Sequence, residues 1–306
     1  MAQPLLARLR ERHRQARIEA LAPPWVAPVL RRMAEVDEVL EADLRHGQLQ
    51  LGERLSLARR LRERGYHEAY VLPNSLKSSL VPFFARIPVR RGYVGEWRHG
   101  LINSPHPNRR PPLPMAAHYA ALAEAPGTAP QGPAPAPRLV ADPARARAVA
   151  DRHGLPVRYA VFCPGAEYGP AKRWPRYAEL ARRVDLPVVL LGSANDREAT
   201  AGIPGTDLAG RTSLDEAIDL IAAAAWVVTN DSGLMHVAAA LGRPQVALFG
   251  SSSPEHTPPL SPAARVVWLR PDCSPCFART CPLGHFRCMN DLAVERVLQE
   301  IAQLGP

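Results

Sequence analysis

The sequence predicts an α/β protein made of two doubly wound parallel sheets, each covered by helices. Short apolar runs alternate with helical patterns in both halves, and Gly- or Pro-rich loops follow several of the runs. The length of 306 residues suits two domains. The segment 126–137, PGTAPQGPAPAP, buries almost nothing and is typical of an extended linker. We therefore predict domains at 1–137 and 138–306.

The first half opens with a helix, since Leu5, Leu6 and Leu9 share one face of the segment 4–13. The pattern then predicts the following elements in order: a strand at 17–22, a helix at 25–33, a strand near 36–40, a basic helix at 54–64 and a strand at 69–72. A doubly wound domain normally opens with its central strand and a tight loop. The sequence therefore predicts that a first strand lies upstream of Met1.

The second half predicts four buried strands, at 159–163, 187–192, 226–230 and 245–250. Helices are expected at 175–184, from the capping box Ser213-Leu214-Asp215-Glu216 to 225, and at 234–241. A further helix is expected after the Cys-rich segment near the carboxyl terminus. Ligands of such sheets bind beyond the carboxyl ends of the strands.

Composition restricts the function classes. No stretch approaches a membrane span, and the Arg-rich start lacks the features of a secretory signal, so we expect a cytoplasmic protein. Residues 1–137 carry a net charge of +8, and residues 138–306 carry +1. This split predicts an anionic partner for the first domain, although a solvated basic surface explains it equally well. No recognition module accompanies the arginines, which argues against nucleic acid.

Three strand-to-helix junctions carry candidate binding residues. The segment CPGAEYGPAKRWP, 163–175, places Lys172 where helix amides attract phosphate. The segment TNDSGLMH, 229–236, supplies Asp231 for sugar hydroxyls and Ser232, Gly233 and His236 for a diphosphate. Lys172 and Lys77, in the third junction with Asn74 and Ser75, are the chain's two lysines. Simple helix caps and surface lysines are the alternative interpretation.

Four cysteines fall within sixteen residues as Cys273-x2-Cys276-x4-Cys281-x6-Cys288. The first pair has the spacing of a zinc ligand pair, but the inner spacings are not those of a standard finger. Reduced structural thiols and a structural zinc ion both remain open, and no catalytic metal is expected.

At these residues the sequence resembles the ADP-heptose:lipopolysaccharide heptosyltransferases of glycosyltransferase family 9. The resemblance covers nearly the whole chain and is strongest at VLPNSLKSSLVPFFARIP, CPGAEYGPAKRWP, TNDSGLMHVAAALGRPQVALFGSSSP and CSPCFARTCPLGHFRC. It implies two Rossmann-like domains facing a cleft, the B-type glycosyltransferase fold. The first domain would hold the lipid acceptor and the second the nucleotide sugar.

The resemblance further implies an inverting transfer from ADP-L-glycero-D-manno-heptose to the first heptose of the lipopolysaccharide inner core, on Kdo2-lipid A. No cofactor is required. Donor contacts would come from Lys172, Asp231, Ser232, Gly233, His236 and Glu198. Acceptor contacts would come from Lys77, Asn74 and Ser75. The protein would be a monomer on the inner face of the inner membrane.

One departure from the family pattern concerns catalysis. Family members begin with a strand and a Gly-Asp loop whose Asp is the expected general base, whereas this chain begins at the following helix. The base is therefore expected upstream of Met1, and the chain should bind ADP-heptose weakly and turn over poorly. A nucleotide-sugar epimerase and a catalytically inactive nucleotide-sugar-binding protein are the alternatives.

Overall fold

The computed structural model describes residues 1–45, 47–108, 114–128 and 132–304. The chain divides into two compact units, Met1–Pro135 and Ala136–Pro306. The division falls within the predicted linker 126–137, of which residues 129–131 lie outside the described residues. None of the described helices has the length and apolar character needed to cross a bilayer.

Among its described residues, the first unit has five parallel strands in two sheets, β1-β2 and β3-β4-β5. The strands are β1 (Glu19–Ala22), β2 (Glu38–Glu41), β3 (Glu68–Val71), β4 (Val89–Tyr93) and β5 (Ser104–His106). The helices are α1 (Gln3–Arg12), α2 (Ala27–Leu30), α3 (Leu51–Glu63), α4 (Leu76–Phe84) and α5 (Met115–Ala120).

The two sheets of the first unit share apolar packing although no strand ladder joins them among the described residues. Leu5 and Leu9 of α1 pack in one cluster with Ile18, next to β1, and with Tyr70 of β3. Two residues of the predicted apolar face, Leu5 and Leu9, are thus buried, whereas Leu6 is partly exposed. The helix expected at 25–33 is reduced to α2, and turns follow it, in which the amides of Arg32 and Met33 donate to the carbonyls three residues earlier.

The second unit contains one six-stranded parallel sheet in the order β11-β10-β9-β6-β7-β8. Its strands are β6 (Ala160–Cys163), β7 (Val188–Leu190), β8 (Thr206–Asp207), β9 (Trp226–Asn230), β10 (Gln245–Phe249) and β11 (Ala264–Trp268). Its helices are α6 (Pro143–Arg152), α7 (Tyr177–Ala181), α8 (Arg197–Thr200), α9 (Leu214–Ala223), α10 (Gly233–Ala240), α11 (Arg287–Asn290) and α12 (Val294–Ala302).

The sheet of the second unit follows the hydrophobic pattern closely. Every residue of β6 and of β10 is buried, as expected for central strands covered on both faces. The four predicted strands are present, and Ser213 and Glu216 form the predicted capping box at the start of α9. The α/β class with parallel sheets is therefore confirmed.

Candidate active site

The first two motifs leave the sheet at the same edge. β6 and β9 are parallel neighbours, and Cys163 at the end of β6 lies opposite Thr229 in β9. The loop 164–172 therefore starts beside the loop 231–232 that precedes α10. Strand-end loops of this kind are where ligands bind in open parallel sheets.

Lys172 and Asp231 meet at this edge. The Lys172 Nζ lies 2.5 Å from the Asp231 Oδ2, and the two side chains are 16% and 5% exposed. Charges removed from water interact more strongly than exposed ones. The pair therefore holds an ammonium group in a defined position at the carboxyl edge of the sheet.

Two further groups orient this pair. Thr257 Oγ1 donates to the Asp231 Oδ1 at 3.3 Å, and the Lys172 ammonium lies 5.1 Å from the centre of the Tyr168 ring. The sequence interpretation assigned Asp231 to sugar hydroxyls. In the structure one carboxylate oxygen contacts Lys172 and the other accepts from Thr257. The binding of sugar hydroxyls by Asp231 stays a prediction.

The loop that carries Lys172 is fixed from two sides. Asn230 is fully buried, and its Nδ2 donates to the Pro164 carbonyl at 2.7 Å. Gly169 has φ 145°, and a Cβ there would lie 2.4 Å from the Arg279 carbonyl oxygen. Glycine is therefore required at position 169 both by the backbone conformation and by the space available.

The amino terminus of α10 opens beside the ion pair. Ser232 precedes the helix, but its side chain makes no capping hydrogen bond. A Cβ built on Gly233 would meet nothing within 4 Å, so the space around this residue is open. Amides at a helix start attract phosphate groups. Ser232 and Gly233 thus leave the amino terminus of α10 accessible to an anion.

His236 lies one turn into α10. Loss of hydration lowers the pKa of its imidazole to about 4. The ring is therefore neutral near pH 7 and offers hydrogen bonds rather than positive charge. Positive charge at this edge comes from Lys172.

Glu198, the remaining predicted donor residue, lies in α8. Its side chain is 91% exposed, and one oxygen lies 3.8 Å from the Nη1 of Arg173, the residue after Lys172. Its contact with the donor stays a prediction. Asp196 also lies against the loop after β6. A Cβ on Gly165 would lie 2.1 Å from the Asp196 Oδ1.

The third motif lies in the first unit, between β3 and α4. Lys77, in the first turn of α4, donates from its Nζ to the Gln48 carbonyl at 3.4 Å and is partly exposed. The Asn74 Oδ1 accepts from the Arg98 Nη2 at 3.1 Å. Ser75 precedes the helix without capping it through its side chain.

The start of α4 is occupied by a residue that the motif does not contain. The Glu96 carboxylate accepts from the Leu76 amide at 2.9 Å. Arg98, which is 2% exposed, joins the loop after β3 to β4 by donating to the carbonyls of Pro73 and Tyr93. The structure therefore gives this helix terminus a carboxylate partner, unlike α10.

Several residues at the site were not predicted. Tyr168 lies in the same motif as Lys172, four residues before it. This spacing was the one feature of the sequence that could have indicated a contact between the ring and the lysine. Thr257 and Arg279 lie far away in sequence and reach the site only through the fold. No local pattern identifies them.

Comparison with known proteins matches residues 54–287 to the family model "Glycosyltransferase family 9 (heptosyltransferase)". The chain is 45% identical to lipopolysaccharide heptosyltransferase 2 of Escherichia coli K12, over 99% of this chain and 94% of that protein. It is 42% identical to lipooligosaccharide heptosyltransferase 2 of Haemophilus influenzae, over 88% and 84%.

Solved structures give the same result. The structure of E. coli ADP-heptose lps heptosyltransferase II matches with a TM-score of 0.87 at 43% identity, covering 99% of this chain and 93% of that one. An E. coli heptosyltransferase solved with ADP-2-deoxy-2-fluoro heptose matches with a TM-score of 0.68 at 20% identity, over 99% and 95%. The second likeness concerns the fold alone.

Proposed function

Because the chain belongs to glycosyltransferase family 9, the heptosyltransferase family, we propose that it transfers heptose from ADP-L-glycero-D-manno-heptose to the first heptose of the lipopolysaccharide inner core. Full-length similarity to heptosyltransferases of lipopolysaccharide and lipooligosaccharide supports the enzyme class and the pathway. The identity of the donor, the identity of the acceptor and the stereochemistry of the transfer are what we propose beyond membership of the family.

The observation that carries the proposal is the fixed ammonium of Lys172 beside the open start of α10. When the bond to the anomeric carbon breaks, negative charge develops on the departing ADP. A cation and helix amides already in position stabilise that charge without reorganising. Neutral His236 and the Ser232 hydroxyl add hydrogen bonds to the same leaving group.

We propose that transfer inverts the anomeric centre. A general base takes the proton of an acceptor hydroxyl while ADP departs from the opposite face of an oxocarbenium-like sugar. Among the described residues, none is proposed as this base.

The acceptor is proposed to bind the first unit through Lys77, Asn74 and Ser75. The net charge of +8 on residues 1–137 supports this, because lipid A and Kdo are anionic. The same charge supports peripheral association with the inner face of the inner membrane. No resident cofactor is part of the proposal.

An epimerase on the same architecture is not favoured. The relatives that match over the whole chain are heptosyltransferases, and the structural likeness to a UDP-GlcNAc 2-epimerase is 11% identical with a TM-score of 0.50, which reflects the fold alone. An epimerase needs no acceptor, so product analysis separates the two functions.

The test combines calorimetry with product analysis. We expect the protein to bind ADP-heptose, to release ADP and to add one heptose to heptosyl-Kdo2-lipid A. Mass spectrometry counts the added sugar, and NMR of the new linkage gives its anomeric configuration. Absence of donor binding refutes the donor site. A change in the sugar without acceptor supports the epimerase.

A further inference from the structure

The segment 273–288 has a cavity that the proposed donor site does not use. Its four cysteines and His285 all line this one cavity, whose volume is ≈ 30 Å³. All four thiols are free of disulfide bonds. A cavity of this size holds one occupant about as large as a water molecule.

A hydroxyl group without a partner also lines the cavity. Ser251 is 1% exposed, and its Oγ has no hydrogen-bond partner within the part of the chain that the structure describes. Buried polar groups are normally satisfied, and one left open at a cavity indicates a polar or charged occupant. Four sulfur atoms around the same space favour a thiophilic cation over water.

Two residues beside the cysteines have left-handed backbone conformations. Phe277, directly after the Cys-x2-Cys pair, has φ 53°, and Phe286 has φ 49°. Left-handed conformations are costly for aromatic residues and persist where the surrounding structure requires them. The Phe286 amide donates to the Cys281 sulfur at 3.4 Å. An amide directed at sulfur stabilises the thiolate form that binds metals.

We infer that Cys273, Cys276, Cys281 and Cys288 bind one thiophilic divalent cation, Zn²⁺ being the ion that suits four thiolates best. In residues 1–45, 47–108, 114–128 and 132–304 no three Cys, His, Asp or Glu side chains are already arranged to hold a metal. Binding therefore requires the thiols to rotate toward a common centre, to about 2.3 Å from the ion, and to release their protons.

The cation would also position Lys172. Between Cys276 and Cys281, the Phe277 carbonyl accepts from the Tyr168 hydroxyl at 2.7 Å, and the Arg279 carbonyl accepts from the Ala171 amide at 3.0 Å. The segment held by the cysteines thus contacts the loop of Lys172 directly. This second consequence rests on the proposed function, whereas the cation site does not.

The first experiment measures the metal itself. We expect the full chain, purified without chelator, to contain about one zinc per chain by elemental mass spectrometry. Replacing the metal with Co²⁺ should give near-ultraviolet sulfur-to-cobalt charge-transfer bands and the visible bands of a tetrahedral ion. A chain that holds no stoichiometric metal and gives no such bands with Co²⁺ overturns the inference, as does mass-spectrometric evidence for disulfides among these cysteines.

The second experiment uses matched variants. Cys276→Ser removes the exposed thiol of the four, and Cys163→Ser removes a buried thiol outside the cluster. We expect the first to lose the charge-transfer bands and the second to keep them. The positioning role predicts that Cys276→Ser raises the KM for ADP-heptose about tenfold while the acceptor KM is unchanged. Equal metal content in both variants overturns the site; if Cys276→Ser does not fold, the cobalt spectrum of the unmodified chain still decides.

Discussion

The two lysines of the chain lie in contrasting environments. Lys172 is mostly buried against a carboxylate at the edge of a continuous six-stranded sheet. Lys77 is partly exposed, contacts a carbonyl at 3.4 Å and follows β3 in one of two small sheets. The position of the Lys172 charge is fixed before a ligand binds, whereas the Lys77 side chain can still change conformation when a ligand binds. The contrast fits a small, constant leaving group on one side and a large, flexible acceptor on the other.

The largest expected effect comes from Lys172→Ala. In a form that carries out transfer, it should lower turnover about 100-fold or more, because the charge that develops on ADP loses its fixed counter-charge. Steady-state kinetics with saturating acceptor measures the effect. Thermal unfolding is the control, since Asp231 is left without its partner. Near-normal turnover in a folded variant would contradict the role of Lys172.

His236 makes the stability of the second unit depend on pH. Its folded pKa of about 4 lies below the ordinary value of 6.5, so the unfolded chain binds the proton more readily. Stability is therefore complete above pH 6.5 and falls as the pH drops toward 4, by about 3 kcal/mol from this group. Urea unfolding of wild type and His236→Asn across that range measures it. We expect a shallower slope for the variant, and equal slopes would show that His236 is not the cause.

Asp231→Asn tests whether the ion pair is what distinguishes Lys172 from Lys77. The substitution removes the negative charge beside Lys172 but keeps the shape of the side chain. Since the carboxylate holds the lysine, we expect about tenfold weaker binding of both ADP and ADP-heptose. Calorimetry with the two ligands gives the answer. Weaker binding of ADP-heptose alone would instead assign Asp231 to the sugar hydroxyls, as the sequence interpretation does.

Lys77→Ala should have the smallest effect. A partly exposed charge contributes about 1 kcal/mol, so the KM for the lipid acceptor should rise roughly fivefold. Donor affinity should stay unchanged, which makes this variant the matched control for Lys172→Ala. An equal loss of donor affinity in both variants would contradict the proposal that the second unit binds the donor and the first unit binds the acceptor.

The sequence predicted the site best where the geometry of parallel strands determines which loops are neighbours. Parallel neighbours end at the same edge, so the approach of Lys172 to Asp231 followed from two strands and their loops. The contacts of Glu96 with the start of α4 and of Thr257 with Asp231 join segments that are distant in sequence. A local sequence pattern therefore cannot predict them. The hydrophobic pattern also does not predict that the described strands of the first unit divide into two sheets.

The burial of Lys172 has a practical consequence for chemical labelling. With two lysines in 306 residues, amine-directed reagents have few targets, and these differ greatly in accessibility. Reductive methylation should modify Lys77 readily and Lys172 slowly. ¹³C-methyl groups introduced in this way would mark one lysine in each unit, so that occupancy of either unit could be followed separately during turnover.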